Sequence, residues 1–318
     1  MSQHPTIAAI GELLVEFVSH SKNCGLRRIG DYSGPYPSGA PAIFLDQVAR
    51  MGGKTEMIGG VGKDGFGDTV IARLTADGVG TGGVTRAGAH STGVAFVSYY
   101  ETGARDFIFH LNNTAADQFH VPDTLLDLAN THLHISAASL GNHALRHMIM
   151  TTMRQVDTQG GWISCDPNAR PELMRDTAVR EALEEVMQRS RYLLPSTSDL
   201  GFLFPDLSEE AAIDRLLSAK PEVIALKRGA KGATVVGFGE RHDFAAHTVP
   251  EIDPTGAGDC FGGTFIALVT QGASLRIAGE KANAAGALAV TKRGPMEGNS
   301  NPDDIDTFLR DQGRGDFT

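Results

Sequence analysis

Beyond residue 130 the sequence alternates short, apolar, β-branched runs with segments of helical spacing, and few folds accommodate that order. The runs at 132–136, 162–166, 192–195, 223–227 and 234–238 read as strands, with helices between them, notably over 180–190 and 209–219. Strand and helix in alternation imply a mostly parallel sheet covered by helices on both faces.

The earlier part of the chain is more mixed. Residues 6–18, rich in Ile, Leu and Val, read as one strand buried on both faces. Residues 22–41 are loop-like, crowded with Gly, Pro, Ser and Tyr. Over 42–51, Phe44, Leu45, Val48 and Met51 share a helical face, and Gly52-Gly53 stops the helix. A strand at 55–58 and a helix at 67–76 closed by Gly78 follow. Residues 92–100 and 105–109 flank Glu101-Thr102-Gly103-Ala104, which has the form of a hairpin turn. No repeat, low-complexity tract or interdomain linker interrupts the chain. The expected architecture is one three-layer α/β/α domain over 1–318, with a small β lid drawn from about 14–40 and 92–112.

Composition narrows the function classes. The 318 residues are 41% hydrophobic and 21% charged with 38 glycines, as in a folded protein rich in tight turns. The formal charge of −10, with no extended basic run, argues against a nucleic-acid partner. Cys24, Cys165 and Cys260 are odd in number and widely spaced, so reduced thiols are expected rather than a disulfide framework or zinc site. The apolar run at 7–10 is too short for a signal-peptide core or a membrane span, and a cytoplasmic location is expected.

The chemistry concentrates at Asp253-Pro254-Thr255-Gly256-Ala257-Gly258-Asp259, followed by a segment that continues as a helix to Gly272. Glycines at 256 and 258 let several backbone N–H groups converge at a helix N-terminus, where phosphate binds well. Asp259 falls in the first turn, where the helix dipole favours a carboxylate. A carboxylate beside a phosphate cradle can accept the proton of an attacking hydroxyl, as phosphoryl transfer requires.

This stretch resembles the C-terminal signature of the PfkB, or ribokinase-like, family of carbohydrate kinases, and four others fall in the family's order. They are Gly62-Lys63-Asp64-Gly65-Phe66-Gly67, Ser164-Cys165-Asp166-Pro167-Asn168-Ala169-Arg170, Leu226-Lys227-Arg228-Gly229-Ala230-Lys231-Gly232 and Ala282-Asn283-Ala284-Ala285-Gly286-Ala287. The resemblance implies an ATP-dependent sugar kinase with Asp259 as base and the backbone of Gly256, Ala257 and Gly258 stabilising the transferring phosphoryl group. It puts Asn168, Lys227, Gly229, Gly232, Asn283 and Ala287 along ATP. Gly11, Glu16, Gly39 and Ala40 would hold the sugar, and Arg170 would reach substrate or phosphoryl group. Mg2+ would bridge the phosphates mostly through water, near Asp199, and K+ would lie near Asp253 as in several relatives. Relatives often pair through their lids, so a homodimer is implied.

Two departures stand out. Ile43 stands where the family usually has an Asn that contacts sugar, and Ser196-Thr197-Ser198-Asp199 replaces the usual Asn-x-x-Glu. Thr264 also replaces a usual Gly or Ala, tolerably on a helix. Gly11-Glu12-Leu13-Leu14-Val15-Glu16 resembles the branch of fructokinases and 2-keto-3-deoxygluconate kinases. Keto-acid enzymes pair the substrate carboxylate with a basic lid residue. His110 stands in that place, and histidine carries no standing charge at neutral pH, so a neutral ketohexose such as fructose or tagatose fits better. The keto-acid kinase, a nucleoside kinase and a non-catalytic sugar- or nucleotide-binding relative remain open, though retention of Asp259 favours a catalyst.

Other signals carry less. Gly60-Val61-Gly62-Lys63-Asp64-Gly65 spells a dinucleotide-binding pattern, but it does not follow the first strand. Gly53-Lys54-Thr55 lacks the leading glycine of a P-loop. His143 and His147 at helical spacing have no third ligand and read as a solvated face. Trp162 reads as core.

Overall fold

A computed structural model describes residues 4–102, 105–169 and 173–317. In chain order the strands are β1 (Thr6–Ile10), β2 (Leu14–Ser19), β3 (Tyr32–Ser38), β4 (Thr55–Gly62), β5 (Gly80–Ala87), β6 (Gly93–Tyr99) and β7 (Arg105–His110). There follow β8 (Thr131–Ser136), β9 (Trp162–Asp166), β10 (Tyr192–Leu193), β11 (Val223–Lys227), β12 (Ala233–Gly237) and β13 (Glu240–Phe244). The helices are α1 (Ala40–Arg50), α2 (Gly65–Ala76), α3 (His143–Thr158), α4 (Thr177–Arg189) and α5 (Thr197–Leu203). The last four are α6 (Glu209–Leu217), α7 (Ala257–Thr270), α8 (Leu275–Ala289) and α9 (Pro302–Asp311).

Nine strands form the main sheet in the order β13-β12-β11-β10-β9-β8-β1-β4-β5, parallel except that β12 runs against both neighbours. Helices cover both faces because both faces of the strands are apolar. In β1, Ile7 and Ala9 join one buried cluster with Phe44 of α1, Leu74 of α2, Phe265 of α7 and Leu309 of α9. Ala8 and Ile10 join the opposite cluster with Ile149 of α3, Leu183 of α4 and Ile213 of α6. This is the expected α/β/α sandwich. The helix starts are locally encoded: Asn142 accepts from the N–H groups of Ala144 and Leu145, and Asn301 and Asp304 form a reciprocal capping box across Pro302, the first residue of α9.

A second sheet of four strands, β3-β2-β6-β7, is built from the two segments expected to supply a lid. Here the structure corrects the sequence reading. Residues 6–18 are two strands, not one: β1 lies in the main sheet and β2 in the small one, where it pairs with β6 and β3. Both are buried nearly throughout, so hydrophobicity does not reveal the break. The stretch read as loop contains β3, whose Pro35 and Pro37 are tolerated because it is an edge strand. The unforeseen β5 and β13 are also edges, one glycine-rich and the other largely exposed. Gly103 and Ala104 of the expected hairpin turn lie outside the described residues, although β6 and β7 pair antiparallel as a hairpin requires.

Candidate active site

The order of the main sheet reverses at β1, which has β4 on one side and β8 on the other. Open α/β sheets hold their ligands beyond the strand carboxyl ends at such a switch point. Gly11 follows β1 directly, its N–H bonded to the Ile58 carbonyl at 3.1 Å. Gly39 ends the return from the small sheet, and Ala40 opens α1. The residues expected to hold sugar at this crossover therefore gather at one end of the sheet.

The 253–259 turn meets that end from α7. Asp253 is fully buried; its Oδ1 accepts from the Thr255 N–H at 3.0 Å and its Oδ2 from the Gly294 N–H at 2.9 Å. Gly256 caps α7 at φ 83°, ψ −10°, the left-handed region that costs an L-residue about 1–2 kcal/mol. A Cβ there would come within 3.0 Å of the Pro295 carbonyl oxygen. The chain thus turns tightly into α7, leaving the first N–H groups of the helix without intrahelical partners. Asp259 is half-buried in that first turn. Ile43, in place of the usual Asn, lies against this turn, its Cγ2 3.2 Å from where a Gly256 Cβ would stand.

A half-buried cation lies beside the turn. The Lys227 ammonium, at the end of β11, pairs with Asp166 at the end of β9 and lies 3.4 Å from a Cβ placed on Gly258. Burial, the largest single influence, works against its charge, but Asp166, Asp199 and Asp259 together outweigh it, and the ammonium pKa is raised. Asp199 is a capping residue here: its Oδ2 accepts from Ser196 N–H and Oγ, and its Oδ1 accepts from the Ala169 N–H at 2.7 Å. Ser196 is thus the N-cap of α5. Asn168 sits next to this link at φ 36°, its N–H 3.2 Å from Asp166 Oδ1. Arg170 lies outside the described residues.

Behind the turn runs a buried polar chain. The Cys260 thiol, kept protonated by burial, donates to Asn299 Oδ1 at 2.7 Å, and Asn299 donates to Asp46 at 2.5 Å. Thr264, far from being merely tolerated, accepts from Gln47 Nε2 at 3.0 Å. On the other side, Gly229 and Gly232 bracket the turn after β11, and Asn283 of α8 donates to the Ala245 carbonyl at 2.9 Å. Gly286 lies against the Ala257 carbonyl, which brings α8, with Ala287, up to the start of α7.

The small sheet carries Glu16 and Tyr99 on one face, since Glu16 pairs with Ala95 and Val18 with Val97. Burial, and then the charge of Asp253, push the Glu16 carboxyl up to about 8, so it is protonated at neutral pH. Its Oε1 is buried with no hydrogen-bond partner among the described residues, while Ser38 Oγ meets Oε2 at 3.3 Å. Tyr99 donates to Asp253 and lies 2.7 Å from Thr255 Oγ1. His110 pairs with Val94 and meets Phe96 edge-on, so it stands on the opposite face from Glu16. Tyr99, Asp46 and Asn299 were not foreseen as site residues, and only the burial pattern of the strand points to Tyr99. Trp162 is corrected from core to surface: 36% exposed, it lies under the Arg191 guanidinium at 4.4 Å.

Residues 5–302 match the family model described as pfkB family carbohydrate kinase. A fructokinase from Escherichia coli is 31% identical over 272 residues, 82% of this chain and 88% of that protein. A fructokinase from Vibrio alginolyticus is 27% identical over 90% of this chain and 93% of its own. Among solved structures, an Escherichia coli protein under the provisional name ribokinase II, crystallised with ATP and Mg2+, is 40% identical. It superimposes with a TM-score of 0.91 over 96% of this chain and 99% of its own. A Vibrio cholerae fructokinase with bound fructose, ADP and calcium is 24% identical, with a TM-score of 0.80 over 96% of this chain and 100% of its own.

Proposed function

The chain belongs to the pfkB family of carbohydrate kinases and is a sugar kinase, and from that premise we propose that it phosphorylates a hydroxyl of a neutral ketohexose, fructose- or tagatose-like. The observation that carries the phosphoryl-transfer reading is local. A left-handed glycine turn, a half-buried Asp259 and the Lys227 ammonium converge where the parallel strands end. ATP supplies the γ-phosphoryl group when bound. Asp259 takes the proton of the sugar hydroxyl, so the oxygen attacks as an alkoxide-like nucleophile. The N–H groups of Gly256, Ala257 and Gly258, with Lys227 beside them, stabilise charge on the group in transit, roughly 3–4 kcal/mol per well-placed donor. Gly229, Gly232, Asn283, Ala287 and Asn168 border the nucleotide, and Gly11, Glu16, Gly39 and Ala40 the sugar.

Mg2+ use is supported by the donor set. Asp199 Oδ1 takes one N–H bond and keeps a lone pair for a metal-bound water. At Asp253 three donors already converge on the carboxylate, so a K+ here would be held by the backbone of 253–255. We further read the small sheet as a lid that excludes water, and its exposed Ile108 and Phe109 as the contact for a second copy of the chain. Among the described residues no helix is long and apolar enough to cross a membrane, and we place the chain in the cytoplasm.

A neutral ketohexose is favoured because the charges of Asp253 and Asp259 repel a substrate carboxylate, while the protonated Glu16 carboxyl offers it no cation and suits a neutral hydroxyl. The test is ADP release with ATP and Mg2+ across fructose, tagatose, ribose, 2-keto-3-deoxygluconate and adenosine. Fructose or tagatose should give the highest kcat/KM, and a higher value for the keto-acid or adenosine would reject the proposal.

A further inference from the structure

We propose that Tyr99 is a positioning residue, its hydroxyl holding the phosphoryl-transfer turn in its working shape from the small sheet. The ring is packed among Val18, Val97, Tyr36 and Phe107, so its direction is fixed by the sheet that carries it. The hydroxyl crosses to the other sheet's chemistry, donating to Asp253 and lying 2.7 Å from Thr255 Oγ1. Asp253 in turn organises the turn through the Thr255 N–H at 3.0 Å and the Gly294 N–H at 2.9 Å. Gly256 then enters its left-handed conformation one residue past Thr255. The Tyr99 hydroxyl is therefore two hydrogen bonds from the Thr255 N–H, at the start of the backbone that stabilises the phosphoryl group in transit.

Burial and the neighbouring Asp253 raise the phenol pKa, so the group remains a donor at every working pH. Tyr36, from the same sheet, lies with its ring against Gly294, so the small sheet meets both strands of chain that Asp253 joins. Lifting the sheet would take the hydroxyl from Asp253 and leave a buried carboxylate short of one donor. The turn is thereby correctly shaped when the sheet is down, which ties transfer to a covered sugar and disfavours transfer to water. This role rests on the sugar-kinase reading, but the contact itself does not.

Tyr99→Phe keeps the ring and removes the hydroxyl. The first readout is hydrogen exchange in the ligand-free protein: the amides of 255–258 should exchange at least tenfold faster, with α3 unchanged. The second is turnover with the best sugar of the panel: kcat should fall at least tenfold while the KM for ATP stays within threefold. Unchanged exchange at 255–258, or equal acceleration across the whole chain, overturns the proposal. So does faster exchange with kcat unchanged. If no sugar is turned over, the proposed activity fails, and the exchange result alone decides the role of Tyr99.

Discussion

Replacing Gly256 with alanine puts the smallest side chain at the point where the turn enters α7. At φ 83° the substitution costs about 1–2 kcal/mol in backbone conformation alone. The new Cβ would also stand inside 3.0 Å of the Pro295 carbonyl oxygen. That carbonyl cannot easily yield: Gly294 is bonded to Asp253, and the Met296 carbonyl accepts from Arg73 at 2.8 Å. The turn must therefore move instead, by about 1 Å to reach ordinary contact, and Ile43 at 3.2 Å closes the other direction. Displacing preorganised donors by about 1 Å costs on the order of 100-fold in rate. We expect kcat for ADP release to fall roughly 100-fold, with a stability loss of about 2 kcal/mol. Gly258→Ala is the control, since its Cβ would meet only the Lys227 side chain, at 3.4 Å and beyond, and its melting temperature should match that of the native chain. A Gly256→Ala protein that folds and keeps kcat within threefold would refute this account of the turn.

Two buried groups give predictions with pH. Glu16 is raised from 4.5 to about 8 by burial and Asp253, so the folded chain holds its proton where the unfolded chain has lost it, and stability falls as pH rises from about 4.5 to 8. Glu16→Gln should thus gain on the native chain by roughly 1 kcal/mol per pH unit over that window in urea melts; a constant difference would contradict the placement. His132 is lowered from 6.5 to about 3, mainly by burial with Arg191 adding, so stability is intact above 6.5 and lost as pH falls toward 3. His132→Gln should flatten the acid side by roughly 1 kcal/mol per unit, and equal slopes in variant and native chain would count against a neutral buried ring.

The main sheet was legible in the sequence where a strand is short, apolar and bracketed by breakers. β9 falls at 162–166 as expected, between Gly160-Gly161 and Pro167. Three of the four edge strands were not legible, because β3, β5 and β13 lack a two-sided apolar pattern and are held by one neighbour each; only β7, paired with β6 across a turn, was read. The break between β1 and β2 was hidden by burial that is complete on both sides of it. At the site, Asp259 and its glycines were readable because the helix-terminus chemistry is written in adjacent residues. Tyr99 was not: its partner Asp253 is 154 positions away, and an aromatic in a strand reads first as packing. The same holds for Asn299 and Asp46, 253 positions apart, whose contact exists only once the segment between α8 and α9 lies against α1.

Whether Asp259 is the base is decided by the turnover of Asp259→Asn, with ATP affinity followed by calorimetry. The variant keeps the size and the first-turn position of the side chain but cannot take a proton. For a base at this position kcat falls about 10³-fold or more, with the Kd for ATP within threefold. Turnover retained above a tenth of native, with unchanged ATP binding, would show that Asp259 is not the base.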